Sequence, residues 1–334
     1  MHGTVLVTGG AGFIGSHTCK ALAAEGYAPV TFDNLSNGRR DAVKWGPLEV
    51  GDIRDETRLS EVMRRHRPAA VLHFAGLIEA GRSVVEPRRF YEVNVGGSLT
   101  LLRVMAREGC TALVFSSTAA VYGNPEHVPI DEDHPQRPVS PYGRSKRMVE
   151  DILADAAAAG GLTYSALRYF NAAGADPGGE LHEAHDPETH LIPLALDAAF
   201  GHRPALHVFG SDYATQDGTC VRDYVHVTDL ADAHVRALAH VRASADPLVA
   251  NLGTGCGFSV REVLRTVGAV AGRPVPAHDA ARRAGDPAVL IADGRLARRR
   301  LAWTPRYSDL ATMVRHAMLG REPAARPVAP AAAP

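Results

Sequence analysis

The sequence predicts an α/β fold, in which a doubly wound parallel sheet is followed by a smaller mixed α/β domain. Two observations predict it: short β-branched runs alternate with helical patterns up to about residue 175, and a glycine-rich turn joins the first strand to the first helix. Near-continuous apolar strands interleaved with helices are typical of a parallel sheet that is covered on both faces. A chain of 334 residues is long enough for one large or two ordinary domains.

The elements can be assigned in chain order. Strands bounded by Gly, Asp, Asn or Ser are predicted at 4–9, 28–34, 48–52, 69–76, 112–118 and 164–171, and an isolated strand at 205–210. Helices are predicted at 16–26, 57–66, about 89–108 and 145–161.

The alternation ends after Asn171, where the loops lengthen. A strand, helix and strand pattern returns at 222–253. We therefore predict a Rossmann-type domain over 1–171 with a return of the chain around 222–253, and a second domain over 172–320. Residues 321–334 are rich in Pro and Ala without an apolar period, and they are predicted to be disordered.

Composition limits the partners and the compartment. The 36 basic and 37 acidic residues leave a formal charge of −1, which favours neither nucleic acid nor an anionic membrane surface as a partner. The four cysteines are scattered without a C-x-x-C pair, and there is no signal peptide or apolar stretch of about 18 residues. These features predict a reduced, soluble, cytoplasmic protein.

Sixteen histidines raise the question of a metal site. The densest group is LHEAHDPETH at 181–190, with His182, His185 and His190. This segment lacks the H-E-x-x-H spacing that places two imidazoles on one helical turn, and its composition is typical of a polar, proline-containing loop. No metal site is therefore predicted.

The glycine-rich turn is TGGAGFIG at 8–15. Between a strand and a helix, Gly9, Gly12 and Gly15 provide a tight turn, close approach of a pyrophosphate to the helix N-terminus, and close helix–strand packing. The next strand ends in Asp33, where a carboxylate would bond a ribose diol and repel a 2′-phosphate. The turn and the carboxylate together favour NAD over NADP.

Further cofactor contacts are expected from the third and fourth strands. Asp52 and Ile53 follow the third strand and would flank adenine, and residues 74–76 bring backbone near the cofactor after the fourth. Arg39 and Arg40 are the one local argument for NADP, although solvated loop arginines at these positions are equally ordinary.

A tyrosine and a lysine stand four residues apart in SPYGRSKRMVED at 140–151. Tyr142 and Lys146 therefore share one helical face, about 5–6 Å apart at Cβ. A phenol is a poor base at pH 7, and lowering its pKa by about three units takes roughly 4 kcal/mol of preferential stabilisation of the phenolate. The Lys146 ammonium is placed to supply part of it.

Three hydroxyl residues, SST at 116–118, end the preceding strand, so both features face the same cleft of a doubly wound sheet. Thr118 would hydrogen-bond the substrate oxygen that Tyr142 deprotonates. Ser116 and Ser117 are interpreted equally well as caps of backbone groups.

A family resemblance rests on several stretches that occur in order: TGGAGFIGSHTCKAL, TFDNLSNG, GDIRD, HFAG, FSSTAAVYG, SPYGRSKRMVE, LRYFNAAGA, DGTCVRDYVHVTDLADAH, NLGTG and RRAGDPAVLIAD. These closely resemble the UDP-glucose 4-epimerases (UDP-galactose 4-epimerases) of the extended short-chain dehydrogenase/reductase superfamily, over about residues 3 to 317. RYFN together with VRDYVHV discriminates far better than the glycine-rich turn.

The resemblance implies reversible C4 epimerisation of UDP-glucose and UDP-galactose through a 4-keto sugar, with transient hydride transfer to tightly bound NAD. Tyr142, Lys146 and Thr118 would be catalytic. The implied cofactor-binding residues are Gly9, Gly12, Phe13, Ile14, Gly15, Asp33, Asn34, Leu35, Ser36, Asn37, Gly38, Asp52, Ile53, Phe74, Ala75, Gly76, Asn94, Ser116, Tyr142, Lys146, Tyr169 and Phe170. The implied substrate-binding residues are Thr118, Tyr142, Asn171, Leu191, His207, Phe209, Arg222, Arg283, Asp286 and Leu290, in a nucleotide-sugar-binding second domain.

A homodimer is implied as well, because relatives pair the helices at about 89–108 and 145–160. These helices carry apolar residues on more than one face: Phe90, Val104, Met148, Val149, Ile152 and Leu153. The chain departs from the family at Ile78, where relatives often have an alanine, tyrosine or lysine, and at Leu290, where relatives have a bulky tyrosine or a small cysteine or serine.

Three alternatives stay open to different degrees. A nucleotide-sugar 4,6-dehydratase would carry an acid and a base where this chain has Ala119 and Ala120. A C4 epimerase of UDP-xylose/UDP-arabinose, UDP-glucuronate or UDP-N-acetylglucosamine is harder to exclude, since the sugar-contacting loops cannot be placed from sequence. A non-catalytic NAD(H)-sensing protein would typically lack Tyr142 or Lys146, and both are present.

Overall fold

The structure of the chain is a computed structural model that describes residues 2–244, 246–283 and 286–321. The predicted tail at 321–334 lies outside the described residues except for Arg321. Within the described part of the chain, no helix combines the length and the apolar character needed to cross a membrane.

Strands and helices follow one another closely from Thr4 to Ala317. The strands are β1 (Thr4–Thr8), β2 (Ala28–Asp33), β3 (Leu48–Val50), β4 (Ala70–His73), β5 (Ala112–Thr118), β6 (Thr163–Tyr169), β7 (Asn171–Ala173), β8 (Leu206–Phe209), β9 (Val221–His226), β10 (Leu248–Leu252), β11 (Gly257–Ser259), β12 (Ala277–Ala280) and β13 (Val289–Leu290). The helices are α1 (Phe13–Ala24), α2 (Glu56–His66), α3 (Ala80–Val85), α4 (Pro87–Phe90), α5 (Gly97–Arg107), α6 (Pro141–Ala158), α7 (Leu191–Phe200), α8 (Val227–Ala243), α9 (Val260–Ala271), α10 (Arg295–Leu301) and α11 (Leu310–Ala317).

A seven-stranded parallel sheet forms the larger layer, in the order β10-β6-β5-β4-β1-β2-β3. The direction of strand order reverses at β1, which pairs with β2 on one side and β4 on the other. In doubly wound sheets the ligand cleft opens at this switch point, beyond the carboxyl ends of the strands. The predicted doubly wound sheet is therefore confirmed.

The chain after β7 builds two smaller sheets. In one of them β9 pairs with β7, β11 and β13, and in the other β8 pairs with β12. The helix that follows β9, α8, packs against α1, and β10 then joins the edge of the large sheet beside β6. The predicted domain boundaries stay a prediction.

Apolar residues cover both faces of the large sheet. One face packs under α1 and α8 with Trp303, and the other packs under α2, α5 and α6. The Trp303 indole N–H donates to the Asp229 carbonyl at 2.9 Å, which ties the chain after α10 to α8. A third core lies among α7, α9 and α11 and serves the smaller sheets.

Two helices differ from the prediction. The helix expected at 145–161 begins earlier, at Pro141, because the Ser140 hydroxyl accepts from the Gly143 N–H at 3.1 Å and proline suits a first helical turn. The helix expected at 89–108 is divided into α4 and α5 by a π-helical turn at Tyr91–Gly96. Such turns often mark functional positions, and this one carries Asn94.

Candidate active site

The glycine-rich turn follows β1 at the switch point of the sheet. Gly9 has φ +73°, and a Cβ there would lie 2.6 Å from the backbone nitrogen of Ala75. A Cβ at Gly15 would lie 2.2 Å from the Gly9 carbonyl oxygen. Gly12 begins α1 without any side-chain cap, so the first N–H groups of the helix stay available to an anion. Phe13 and Ile14 form the first turn of the same helix.

Asp33 ends β2 beside this turn. Its carboxylate accepts from the backbone N–H of Ala11 at 3.0 Å and of Leu35 at 2.8 Å. Burial raises the pKa of this carboxyl group, and these two N–H bonds oppose the rise. Gly38 packs closely against the Asp33 carboxylate, since a Cβ at Gly38 would lie 2.8 Å from Asp33 Oδ1. These two N–H groups therefore fix the carboxylate at the end of β2, where the sequence analysis expects a ribose diol.

The loop at 34–38 follows Asp33 and is hydrogen-bonded to the segment after β3. Asn34 donates to the Asp52 carboxylate at 3.1 Å, and the same carboxylate pairs with Arg54 at 2.8 Å. The hydrogen bonds from Arg54 lower the pKa of Asp52 to about 2. Arg39, the local argument for NADP, is paired with Asp41 at 2.5 Å.

Ile53 and Asn94, two of the predicted cofactor contacts, are both buried. The Ile53 side chain is buried in the core under α2, α5 and α6. The Asn94 amide bonds both backbone groups of Leu77, at 2.8 and 3.0 Å, and the Ser145 hydroxyl at 3.0 Å. Asn94 therefore joins the loop after β4, which contains residues 74–76, to the first turns of α6.

The end of β5 and the start of α6 bring the predicted catalytic residues together. Lys146 is buried, and its Nζ donates to the Ser116 carbonyl oxygen at 2.9 Å and lies 4.8 Å from the centre of the Phe115 ring. The Ser116 hydroxyl hydrogen-bonds the Tyr169 hydroxyl at 2.6 Å. Ser116 thus braces both Lys146 and the adjacent strand β6.

Burial moves the pKa values of the pair in opposite directions. Burial lowers the pKa of Lys146 to about 8, and the Glu150 carboxylate opposes this change. Burial raises the pKa of the Tyr142 phenol, while the Thr118 hydroxyl opposes the rise. Burial therefore disfavours the charged form of both side chains in the free protein.

A buried polar network behind this pair was not predicted from the sequence. Glu150 and Arg168 form an ion pair at 2.5 Å with side chains only 5% and 4% exposed. Ser117 also donates to the Glu150 carboxylate. Arg168 donates to the Tyr122 hydroxyl at 2.9 Å, and that hydroxyl donates to Asn251 Oδ1 at 2.7 Å. Glu150 follows Lys146 by one helical turn, and this spacing is the only signal in the sequence.

The predicted substrate residues lie on the smaller sheets and the segments beside them. Asn171 begins β7 and donates to the Asp223 carbonyl at 3.0 Å. Arg222 of β9 forms an ion pair with Asp286, and the Arg283 guanidinium lies 4.0 Å from the centre of the Phe209 ring. His207 precedes Phe209 on β8, and Leu191 begins α7.

Leu290 lies on β13 and is paired in register with Arg222 of β9. It packs, together with Phe170, against the small core of Ala119, Val121, Tyr122 and Ile130. This core continues directly from Thr118 at the end of β5. The structure therefore places Leu290 between the Arg222 side of the site and the catalytic side.

Comparison with known proteins gives one consistent result. The model of the NAD dependent epimerase/dehydratase family matches residues 5–253. A UDP-glucose 4-epimerase of Rhizobium leguminosarum bv. trifolii is 57% identical over 94% of this chain and 96% of that protein. The crystal structure of UDP-glucose 4-epimerase from Brucella ovis in complex with NAD is 53% identical with a TM-score of 0.92, covering 94% of this chain and 97% of that one.

A structure of UDP-glucose-4-epimerase from Stenotrophomonas maltophila, with bound NAD and formylated UDP-arabinopyranose, is 43% identical with a TM-score of 0.91 and covers 95% of this chain and 97% of that one. The similarity to these proteins extends over nearly the whole chain. The chain belongs to the NAD dependent epimerase/dehydratase family and, within it, to the UDP-glucose 4-epimerases.

Proposed function

We propose that this protein interconverts UDP-glucose and UDP-galactose by inverting C4 of the sugar, with Tyr142 as acid and base. The observation that carries the proposal is that the start of α6 meets the end of β5, where the Thr118 hydroxyl bonds the Tyr142 phenol and Lys146 donates to the Ser116 carbonyl. The 57% identity to a UDP-glucose 4-epimerase supports the same reaction.

The residues at the switch point fit NAD. The uncapped N-terminus of α1 offers N–H groups to a pyrophosphate, and the fixed Asp33 carboxylate suits a ribose diol. On the opposite side, Asn94 holds the loop after β4, and Lys146 holds Ser116 at the end of β5. When bound, NAD supplies an oxidised nicotinamide that accepts the C4 hydride and returns it to the sugar.

Tyr142 takes the proton from the sugar 4-hydroxyl as the C–H bond at C4 breaks, leaving a 4-keto sugar. Thr118 donates a hydrogen bond to the same oxygen, and the Lys146 ammonium stabilises the Tyr142 phenolate. After the keto sugar presents its other face, Tyr142 returns the proton to the oxygen as the hydride returns to C4. The sugar therefore gains and loses no atoms over the cycle.

Substrate binding is assigned to the smaller sheets. The guanidinium groups of Arg222 and Arg283 suit a diphosphate, because planar guanidinium groups make charge-assisted bonds to phosphate oxygens. Arg222 is already paired with Asp286, the residue proposed to hold the uridine ribose, so both side chains rearrange or share partners on binding. Asn171 completes the diphosphate contacts.

A homodimer through α5 and α6 is part of the proposal. Of the apolar residues expected at that surface, Phe90, Val104, Val149 and Leu153 are instead buried in the core of their own chain. The dimer is still supported by exposed apolar side chains in this region, which are Leu99, Met148, Val84 and Val85. Sedimentation at micromolar concentration should give twice the chain mass, and a species of only 35.5 kDa would contradict the dimer.

The cytoplasm is the proposed compartment, because Cys19, Cys110, Cys220 and Cys256 are all free thiols. The activity is tested by incubating the purified protein with UDP-galactose, without added NAD, and measuring UDP-glucose. UDP-arabinose and UDP-N-acetylgalactosamine are compared in parallel. A preference for UDP-arabinose would move the assignment to a pentose epimerase, and failure with every UDP-sugar would leave an NAD(H)-sensing role.

A further inference from the structure

The segment at 182–190 gathers four side chains with metal-binding atoms. One ligand atom from each of Glu183, His185, Glu188 and His190 lies within 4.8 Å of every other. We propose that these four residues form a site for a single divalent transition-metal ion of the zinc class. The proposal is independent of the epimerase activity, since none of the four is assigned to catalysis.

Local backbone geometry brings the carboxylates together even though the spacing is not helical. Glu183 Oε1 accepts from the N–H groups of the next two residues, at 3.0 and 3.2 Å. Glu188 Oε1 does the same, at 2.7 and 2.8 Å. Each carboxylate is therefore held in a tight turn, where its orientation is fixed before any ligand arrives. The sequence analysis predicted no metal site here, from the missing helical spacing and the loop-like composition, and the proposal departs from that prediction.

One carboxylate oxygen in the cluster lacks a hydrogen-bond partner among the described residues. The Glu188 side chain is only 9% exposed, and its Oε2 is buried and accepts no hydrogen bond. His185 Nδ1 lies in direct contact with the Glu183 carboxylate. His190 Nδ1 lies 2.8 Å from Glu188 Oε1 and 3.8 Å from Glu183 Oε2. Buried polar atoms are normally paired, so the unpaired oxygen of a carboxylate that already contacts His190 points to a missing cation.

The donor set selects the class of ion. Two imidazoles and two carboxylates are typical ligands of Zn²⁺ and its neighbours, whereas Ca²⁺ and Mg²⁺ prefer oxygen alone. The donors of a tetrahedral zinc site lie roughly 3.4 Å apart, so modest side-chain rotations would close the cluster around an ion. A competing cation, the Arg321 guanidinium, lies 3.7 Å from Glu188 Oε2, and its shorter contact to Asp197 at 2.5 Å lets it remain in place.

The position of the cluster gives the ion a structural consequence. Glu183 and His185 line a small cavity together with Gly12, Phe13 and Ser16 of the glycine-rich turn and α1. His190 directly precedes α7. A bound ion would therefore fix the segment at 182–190 against the cofactor turn on one side and the start of α7 on the other.

The test uses the untagged, full-length protein with its NAD, after removal of metals by a chelator. We expect Zn²⁺ to bind at one ion per chain in equilibrium dialysis, Co²⁺ to give visible absorption, and Zn²⁺ to raise the melting temperature. Glu188→Gln and His185→Gln should each weaken Zn²⁺ binding at least about tenfold, the range for disrupted metal-site partners. His182→Gln, in the same segment but outside the cluster, should bind as the wild type does.

Should either of those variants fail to fold, His190→Gln takes its place. Saturation that needs more than about 1 mM Zn²⁺, a millimolar dissociation constant, would overturn the proposal. Equal Zn²⁺ binding by the wild type and the cluster variants would also overturn it, because the ion would then be held elsewhere.

Discussion

Lys146 donates a hydrogen bond from its buried Nζ to the carbonyl oxygen of Ser116, at 2.9 Å, and this contact fixes the start of α6 against the end of β5. Lys146, proposed as a catalytic residue, is therefore also a structural link between the two elements. Its position does not depend on a ligand, since its partner is a backbone group of the large sheet. This preorganisation is what the proposed acid–base chemistry at Tyr142 requires.

Replacing Tyr142 by phenylalanine removes the proposed acid and base while keeping the ring. We expect Tyr142→Phe to lower turnover of UDP-galactose by at least about 10²-fold, the usual lower range for a positioned acid–base group. The fold and bound NAD should be retained, as circular dichroism and the absorbance of released cofactor would show. Turnover within a few-fold of the wild type would remove Tyr142 from the mechanism.

Lys146→Met should have two effects, because the proposed mechanism has the ammonium stabilise the phenolate and lie in the cofactor cleft. NAD retention should weaken, and the rise of activity with pH should move to higher pH, since the Tyr142 phenol would ionise without a neighbouring positive charge. In the wild type this charge is present at pH 7 and is lost as pH rises through the Lys146 pKa of about 8. A pH profile that does not move would show that Lys146 does not tune the phenol.

The motifs that the sequence revealed are local ones. Gly9, Gly12 and Gly15, and likewise Tyr142 and Lys146, lie within a single turn or helix, so their spacing alone predicted their geometry. Tyr122 and Asn251 are 129 positions apart in the chain, and only the pairing of β10 with β6 brings them together. No local pattern encodes such a contact.

The sequence predicted the dimer surface less well than it predicted the local motifs, for a related reason. Apolar residues on several faces of a helix do not reveal which face is already covered by its own chain. Phe90 and Leu153 are fully buried within the chain, whereas Met148 on α6 is 44% exposed. Apolar helix residues of the same sequence pattern thus occur both in the core of the chain and on its surface.

The ion pair of Glu150 and Arg168 gives a prediction about stability. Glu150→Gln leaves the Arg168 charge buried without its counter-ion, and we expect the free energy of unfolding to fall by about 3 kcal/mol. Asp151→Asn is the matched control, since Asp151 is 66% exposed and lies 3.9 Å from Arg147, and it should change stability by less than about 0.5 kcal/mol. Urea unfolding of both variants measures the difference, and equal small effects would show that the buried pair contributes nothing specific.

Leu290 gives a prediction about substrate range. It packs beside Phe170 next to the proposed sugar site and offers an acetamido group no hydrogen-bond partner, which costs roughly 1–3 kcal/mol. We therefore expect kcat/KM for UDP-N-acetylglucosamine to be lower than for UDP-glucose by about one to two orders of magnitude.

Two substitutions at this position sharpen the test. Leu290→Ser should narrow the gap between the two sugars, and Leu290→Tyr should widen it, as steady-state kinetics on both substrates would show. Equal kcat/KM for the two sugars in the wild type, or no response to either substitution, would place the determinant of substrate range elsewhere.

The most direct test of the central claim follows the hydrogen at C4. UDP-galactose that carries deuterium at C4 is incubated with the purified protein in ordinary water without added cofactor, and the UDP-glucose formed is examined by mass spectrometry and NMR. Hydride removal and return within one bound cofactor predicts that the deuterium is retained at C4 of the product. Replacement of the deuterium by solvent hydrogen would contradict the account, because C4 would then exchange a proton with water.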